Sequence, residues 1–413
     1  MAVWRGRSPR CRRGGASQSA AVRSLRTVFW VSTGLLVHTH VGYPLALAAI
    51  ERARRRRGGP RAGGPQPGGA PAQVMAPADA SQPPAVSVIV AAYAEQEVIA
   101  RRVANLRALD YPAGRVEVIV ACDGSPDATA VRAREAGADL VLELPRGGKV
   151  RAQDAGVARA RHDLLAFSDA NSSWEPGALR ALVAPFADPR VGYVCGSVRF
   201  VNDRGDNQEG LYWRYEMWLR SLESRLRSVT AGNGAIYATR RASYIHVDPI
   251  MGHDLSFPFN MVKRGWMAVY APAARAHERM VPTIEGEFRR KRRMMSHGWP
   301  IVLRGGMLSP RGYDPAYAAM ILSHRLLRYG SPFLHLAALG ASLALLGEGA
   351  PYTAAVAAQA ALLAAALGAR TVPARPLLVA RYYVLTTASL AAGLWDWLAR
   401  GTEAGWEAAE GTR

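Results

Sequence analysis

The chain has 413 residues, 49% of them hydrophobic, and 52 Lys and Arg against 32 Asp and Glu, for a formal net charge of +20. That length accommodates one large domain with attached helices. A basic excess can answer nucleic acid, anionic lipid or an anionic substrate. The chain has no zinc-finger spacing, RNA-binding aromatic signature or basic heptads, which argues against nucleic acid as a partner. Cys11, Cys122 and Cys195 stand far apart, which argues against a disulfide framework or a zinc site and suits a reducing compartment.

Residues 1–26 form a basic tail with seven arginines and no acidic residue. Residues 27–50 are a nearly uncharged apolar run, long enough for a transmembrane helix at about 1.5 Å per residue. A cleaved signal peptide is the competing reading, but the run exceeds a usual apolar core, and Glu51-Arg52-Ala53-Arg54 does not resemble a small-residue cleavage site. Residues 51–84 read as a flexible linker rich in Arg, Gly and Pro, which serves as a solvated tether or meets anionic headgroups. Positive charge on both sides of the apolar run leaves its orientation undecided.

Over residues 85–280 short apolar runs alternate with helical spacing. Val86–Ala92, Val116–Cys122 and Leu164–Ser168 read as strands, and 101–109 as a helix. This alternation predicts an α/β fold whose sheet has helices on both faces and binds ligands at the carboxyl ends of its strands. Residues 281–331 read as basic and amphipathic interfacial helices. The apolar stretches within 332–398 predict about three further transmembrane helices, with Arg381 facing a partner helix or the interface, before a tail at 399–413.

Acidic residues follow two of the strands. Asp123-Gly124-Ser125 offers a carboxylate to a base or ribose, although the same tripeptide is a common turn. Asp169-Ala170-Asn171 places two oxygen-bearing side chains at i and i+2. In an extended tip both reach one Mg2+ or Mn2+ ion, whereas a helix following them would make Asn171 or Ser172 an N-cap instead.

Several motifs occur in an order that resembles the family 2 glycosyltransferases, over about residues 86–329. They are Val-Ser-Val-Ile-Val-Ala-Ala-Tyr-Ala-Glu (86–95), Asp-Gly-Ser-Pro-Asp-Ala-Thr (123–129), Gly-Gly-Lys (147–149) and Phe-Ser-Asp-Ala-Asn (167–171). Gly-Asn-Gly-Ala-Ile-Tyr-Ala (232–238), His-Asp-Leu (253–255), Glu-Phe-Arg-Arg-Lys-Arg-Arg-Met (287–294) and Leu-Ser-His-Arg-Leu-Leu-Arg-Tyr (322–329) follow. The last two look most like bacterial membrane synthases related to those of cellulose and poly-N-acetylglucosamine.

The resemblance implies a GT-A fold, a Rossmann-like mixed sheet that binds a nucleotide-sugar. Ala92, Tyr93, Glu95 and Asp123 would line the nucleoside pocket, and Lys149 and Arg293 would meet the donor phosphates. Asp169, helped by Asn171, would hold a divalent cation; many relatives carry a second aspartate at the Asn171 position. Asp254 would be the catalytic base, since inverting transfer needs a carboxylate to take the acceptor hydroxyl's proton. A helix N-cap is the competing role for Asp254, and His253 beside it is expected in the pocket wall.

Gly234, Tyr237 and Trp213 are expected to bind the acceptor. Trp213 belongs to an aromatic group with Tyr212, Tyr215 and Trp218 that suits sugar stacking, a membrane interface or core packing. Processive relatives carry Gln-x-x-Arg-Trp where this chain has Arg290, Arg293 and Met294, which puts processivity in doubt. The reading is a multi-pass cell-membrane enzyme with a cytoplasmic catalytic domain. Its donor would be a nucleotide-sugar, by resemblance a UDP-sugar, and its acceptor a saccharide or lipid-linked saccharide among membrane lipids. Transfer of a single sugar to a polyprenyl phosphate or lipid, and an inactive scaffold subunit, are the alternatives.

Overall fold

The computed structural model describes residues 14–57, 82–201, 210–279, 281, 283–372 and 374–405. Cys11, the tail up to residue 13, residues 58–81 of the expected linker and 406–413 lie outside the described residues. The chain divides into two compact units. One takes Tyr43–Leu326 and the chain from Ser389 onward, and the other the chain up to Gly42 together with Leu327–Ala388.

Helix α1 (Gly14–Val37) passes through a π-helical stretch at His38–Gly42 into α2 (Tyr43–Arg56). Residues 51–56 are therefore helical, where the sequence reading began a linker. The order then runs β1 (Val86–Ala92), α3 (Ile99–Arg107), β2 (Val116–Asp123), α4 (Thr129–Glu135), β3 (Leu140–Leu144), α5 (Lys149–Arg159) and β4 (Leu164–Asp169). It continues with β5 (Ser173–Trp174), α6 (Ala178–Val183), β6 (Val191–Val201), α7 (Leu211–Leu226), β7 (Tyr237–Arg240), α8 (His253–Lys263) and β8 (Met267–Arg279). Helices α9 (Ile284–Leu303), α10 (Pro315–Met320), α11 (Leu327–Ala344), α12 (Ala350–Gly368) and α13 (Arg375–Arg400) complete it.

The strands form one mixed sheet in the order β3-β2-β1-β4-β7-β6-β8-β5. Strands β3, β2, β1 and β4 are mutually parallel, and β7 runs antiparallel between β4 and β6. All seven residues of β1 are buried. Because successive side chains point to opposite faces, this strand is covered on both, which is why its sequence is a continuous apolar run. Each buried Val, Ile or Phe of the core, such as Val88, Val118 and Phe167, contributes about 1.5–3 kcal/mol. The register sets Ala91 of β1 opposite Asp169 and Ala92 opposite Cys122, so three parallel strands end side by side.

In the other unit, Phe29, Ala341, Leu345 and Tyr352 form a small apolar core, with Phe29 edge-on to Tyr352 at 4.9 Å. Among the described residues three helical stretches are long and apolar enough to cross a membrane: Ala20–Arg56, Ala350–Gly368 and Arg375–Arg400. Helix α11 begins at Leu327 and continues through Pro332, so one helix crosses the boundary expected at 332 between the interfacial and membrane helices. Cys122 and Cys195 are buried free thiols.

Candidate active site

The row of strand ends builds the site. Tyr93, directly after β1, stacks against the Arg146 guanidinium, 3.3 Å from the ring centroid. The Ala92 carbonyl accepts from Ser125 Oγ at 3.4 Å, and the amides of Ala94, Glu95 and Gln96 donate to Ser125, Thr129 and Asp127 at 2.8–3.2 Å. Side chains of the Asp-Gly-Ser-Pro-Asp-Ala-Thr segment thus fix the loop after β1, with Glu95 buried beneath it.

Asp123 does not present an open carboxylate. It is buried and accepts from the Gly147 amide at 2.6 Å, the Gly148 amide at 2.9 Å and Arg146 Nη1 at 2.9 Å. Two convergent amides and a guanidinium suit a carboxylate, so Asp123 shapes the loop that carries Arg146. Gly148 makes this possible with φ +95°, a conformation that a β-carbon penalises. A Cβ there would also fall 2.1 Å from the Ala404 carbonyl oxygen, because the segment after α13 lies against this loop.

Lys149 opens α5 and forms an ion pair with Asp169 at the end of β4. Burial lowers the ammonium's pKa, but Asp169, with Asp254 and Glu278 more distantly, more than offsets this and leaves it raised. Gly234 lies over the pair: a Cβ would stand 3.2 Å from Lys149 Nζ and 3.5 Å from Asp169 Oδ2. At the other end of the same loop, the Gly232 amide donates to the Asp254 carbonyl at 2.7 Å. Asp254 lies in the first turn of α8, whose N-cap is Gly252 with no side-chain capping bond, so the N-cap role is not what this aspartate plays. One loop therefore ties Asp254 to the Lys149–Asp169 pair.

No helix follows Asn171 closely. The next one, α6, starts at Ala178 with Gly177 as N-cap. Asn171 instead lines a cavity beside the Asp169 turn, together with residues of α3 and the end of β8.

The expected acceptor contact of Tyr237 is corrected. Tyr237 is fully buried, stacks on Phe167 at 4.7 Å, accepts from Gln153 Nε2 at 3.1 Å and bonds His253 Nδ1 at 2.8 Å. Trp213 is half-buried: it donates Nε1 to the Val198 carbonyl at 2.8 Å, meets Phe200 edge-on and packs against the core. His253 is buried as well. Burial, then Lys149, pushes its pKa well below the ordinary imidazole value, which keeps it neutral and inside the core rather than in a pocket wall.

Glu278, which the sequence reading passed over, and Arg290, which it named only for processivity, join the cluster. Glu278, near the end of β8, has its pKa pushed up to about 7 by burial and by Asp169, against Arg290 and Lys149. Its signal was available, since it is a carboxylate at a strand end like Asp123 and Asp169. Arg290, bonded to Glu287 at 2.7 and 2.8 Å, is the cation of α9 that acts on Glu278. Arg293, chosen for the phosphates, is exposed on α9; its charge is felt at His297, where Asp254 also acts.

A mixed sheet whose parallel strands end in carboxylates beside a helix-opening lysine is a GT-A architecture. Residues 87–248 match the family model described as glycosyl transferase family 2, so the chain carries a family 2 glycosyltransferase domain. It is similar to an N-acetylglucosaminyltransferase of Rhizobium meliloti (strain 1021), 28% identical over 228 residues, 49% of this chain and 53% of that protein. It is also similar to a beta-monoglucosyldiacylglycerol synthase of Synechocystis sp., 30% identical over 171 residues, 37% of this chain and 33% of that protein. The chain thus spans about half the length of the first relative and a third of the second. A solved mannosyltransferase of Pyrobaculum calidifontis, in complex with GDP-Man and Mn2+, shares the fold. Its TM-score is 0.63 at 23% identity, covering 90% of this chain and 99% of that one.

Proposed function

We propose that this chain is a membrane-bound, inverting transferase that moves a sugar from a nucleotide-sugar, by resemblance a UDP-sugar, to a saccharide acceptor in envelope or extracellular polysaccharide synthesis. The observation that carries the reading is the single loop joining Asp254 to the Lys149–Asp169 pair. It sets a candidate base beside a candidate phosphate site. Tyr93, Arg146 and the Asp123 loop form the nucleoside end, and Lys149 meets the diphosphate. Asp254 takes the acceptor hydroxyl's proton as that oxygen attacks the anomeric carbon and the diphosphate leaves. The apolar helices hold the domain at a membrane, with the catalytic face in the cytoplasm.

The residues present fit a divalent cation. Asp169 and Asn171 offer hard oxygen ligands, and the Lys149 ammonium already stands on Asp169 as a cation. Among the described residues no group of three or more His, Cys, Asp or Glu is placed to hold a metal, so diphosphate oxygens and water would complete the coordination of Mg2+ or Mn2+. When bound, that ion neutralises charge on the leaving diphosphate. Activity is expected to vanish in excess EDTA and return with Mn2+ or Mg2+. Asn171→Asp is expected to keep activity and need less metal. Full activity in EDTA, with bound metal excluded by elemental analysis, would contradict the assignment.

Arg290 and Met294 contact each other through Nη1 and Sδ at 3.2 Å. A thioether offers no flat face for a sugar ring, which favours short products or single additions. Gly234→Ala is expected to lower kcat by about tenfold or more, because a displacement well under 1 Å at the Lys149–Asp169 pair is costly to catalysis. Its melting temperature should hardly move, since the crowded atom ends a flexible side chain. A kcat within twofold of the original would remove Gly234 from the site.

The experiment for the whole reading is a screen of nucleotide-sugars for nucleoside diphosphate release by detergent-solubilised protein with Mn2+ or Mg2+. Release from at least one donor is expected, and release from none would return the chain to a scaffold role.

A further inference from the structure

Glu216, Arg220 and Glu223 recur at i, i+4 and i+7 along α7, which sets three charged side chains on one face of that helix. All three are buried. Facing them is part of the Leu-Ser-His-Arg-Leu-Leu-Arg-Tyr motif, which has no role in the chemistry above. His324 and Arg325 lie in a π-helical stretch, Ile321–Leu326, between α10 and α11. Bonds from i to i+5 widen such a turn and narrow the angle between neighbouring side chains, so two adjacent residues reach one place.

That place is Thr230, fully buried in the loop 227–236 between α7 and β7. Arg325 Nε donates to its hydroxyl at 2.8 Å. The hydroxyl donates in turn to Glu223 Oε2 at 3.0 Å, and the Thr230 amide donates to the same oxygen at 3.2 Å. Glu223 Oε1 accepts from His324 Nδ1 at 2.6 Å and from Tyr43, the first residue of α2, at 2.8 Å. The other nitrogen of His324 stands 3.4 Å from Glu216, so the imidazole lies between two carboxylates of α7. Burial raises the Glu223 pKa, but His324, then Arg325 and Tyr43, more than offset this and hold it below the ordinary carboxylate value.

A buried ion pair adds little net stability over an apolar pair of the same shape. What a satisfied polar network supplies is rigidity and one defined arrangement. Here it fixes a loop that enters the active site two residues later. Arg220 Nη2 donates to the Gly232 carbonyl at 3.0 Å, while the Gly232 amide donates to the Asp254 carbonyl at 2.7 Å. Gly234 then lies over the Lys149–Asp169 pair. The backbone has no slack between these points: a Cβ on Gly232 would fall 1.8 Å from the Tyr193 hydroxyl oxygen.

We propose that Glu223, clamped by His324, Tyr43 and Thr230, is a positioning residue for sugar transfer. It fixes the loop 227–236 so that Asp254 and the Lys149–Asp169 pair keep their catalytic spacing. The inference rests on the transferase site proposed above.

The test compares two substitutions of Thr230 in the purified full chain in detergent with Mn2+. Thr230→Val keeps the shape and removes the hydroxyl that joins Glu223 to Arg325, whereas Thr230→Ser keeps that hydroxyl. The rate is nucleoside diphosphate release from the best donor of the nucleotide-sugar screen, and donor affinity is read by UDP titration. Thr230→Val is expected to lower kcat by about tenfold or more, the cost of a small displacement of catalytic groups, with UDP affinity within about twofold. Thr230→Ser is expected to bring kcat back to within about threefold of the original. Hydrogen exchange of peptides covering 227–236 needs no activity. It is expected to speed up in Thr230→Val and to stay slow in Thr230→Ser. If Thr230→Val does not fold, Tyr43→Phe, which removes one donor to Glu223, is expected to lower kcat by about threefold with UDP affinity kept.

An unchanged kcat in the variant that folds would overturn the proposal, as would equal losses in Thr230→Val and Thr230→Ser. A loss of UDP affinity that matches the loss of kcat, or unchanged exchange in the loop, would also overturn it. No release by the original chain from any donor would count against the transferase reading; loop exchange then still decides whether this network holds the loop.

Discussion

Asp254→Asn is expected to lower transfer by roughly 10²–10⁴-fold, the usual loss when general-base catalysis is removed. The amide nearly matches the carboxylate in shape but does not take a proton. Asp254 leaves its carbonyl with the Gly232 amide at 2.7 Å, and that backbone bond survives the substitution. The fold and the nucleotide affinity are therefore expected to stay within a few-fold of the original, with kcat carrying the loss. Initial rates and UDP titrations on the same preparations check this. Transfer above about a tenth of the original rate would exclude Asp254 as the base.

Asp169→Asn is expected to act through two partners at once. The Lys149 ammonium loses the carboxylate that keeps it in place, and the cation loses its one charged protein ligand. Removing a preorganised electrostatic contact of this kind costs about 10²–10³-fold in kcat. The metal requirement should rise too, because an amide oxygen brings no charge to a hard cation. A titration of activity against Mn2+ separates the two effects. Partial recovery at high Mn2+ is expected, whereas unchanged activity at the original metal concentration would remove Asp169 from the site.

The parts that were legible in the sequence are those whose pattern has one physical cause. Val86–Ala92 reads as a doubly covered strand because every residue must tolerate burial, and the structure gives it those same ends. Asp123 and Asp169 were visible because each closes an apolar run, and parallel registry then places the two strand ends together. Tyr237 was misplaced because an aromatic ring packs against a core or a sugar with the same chemistry. Its burial and the hydroxyl bond to His253 decide between them.

Glu278 lies more than a hundred residues from Asp169, and only the sheet brings their charges together. The linker was drawn from residue 51 because Arg-rich sequence looks solvated; the helix instead runs to Arg56, with Glu51 bridging Arg55 and Arg225.

The most direct measurement is to follow a labelled sugar from its nucleotide into product, using purified protein with Mn2+ and a membrane lipid extract, and to read the anomeric configuration by NMR. The account predicts label in a new glycoside whose anomeric configuration is inverted relative to the donor, lost together with Asp254→Asn and with EDTA. A retained configuration, or no label leaving any nucleotide-sugar tested, would contradict it.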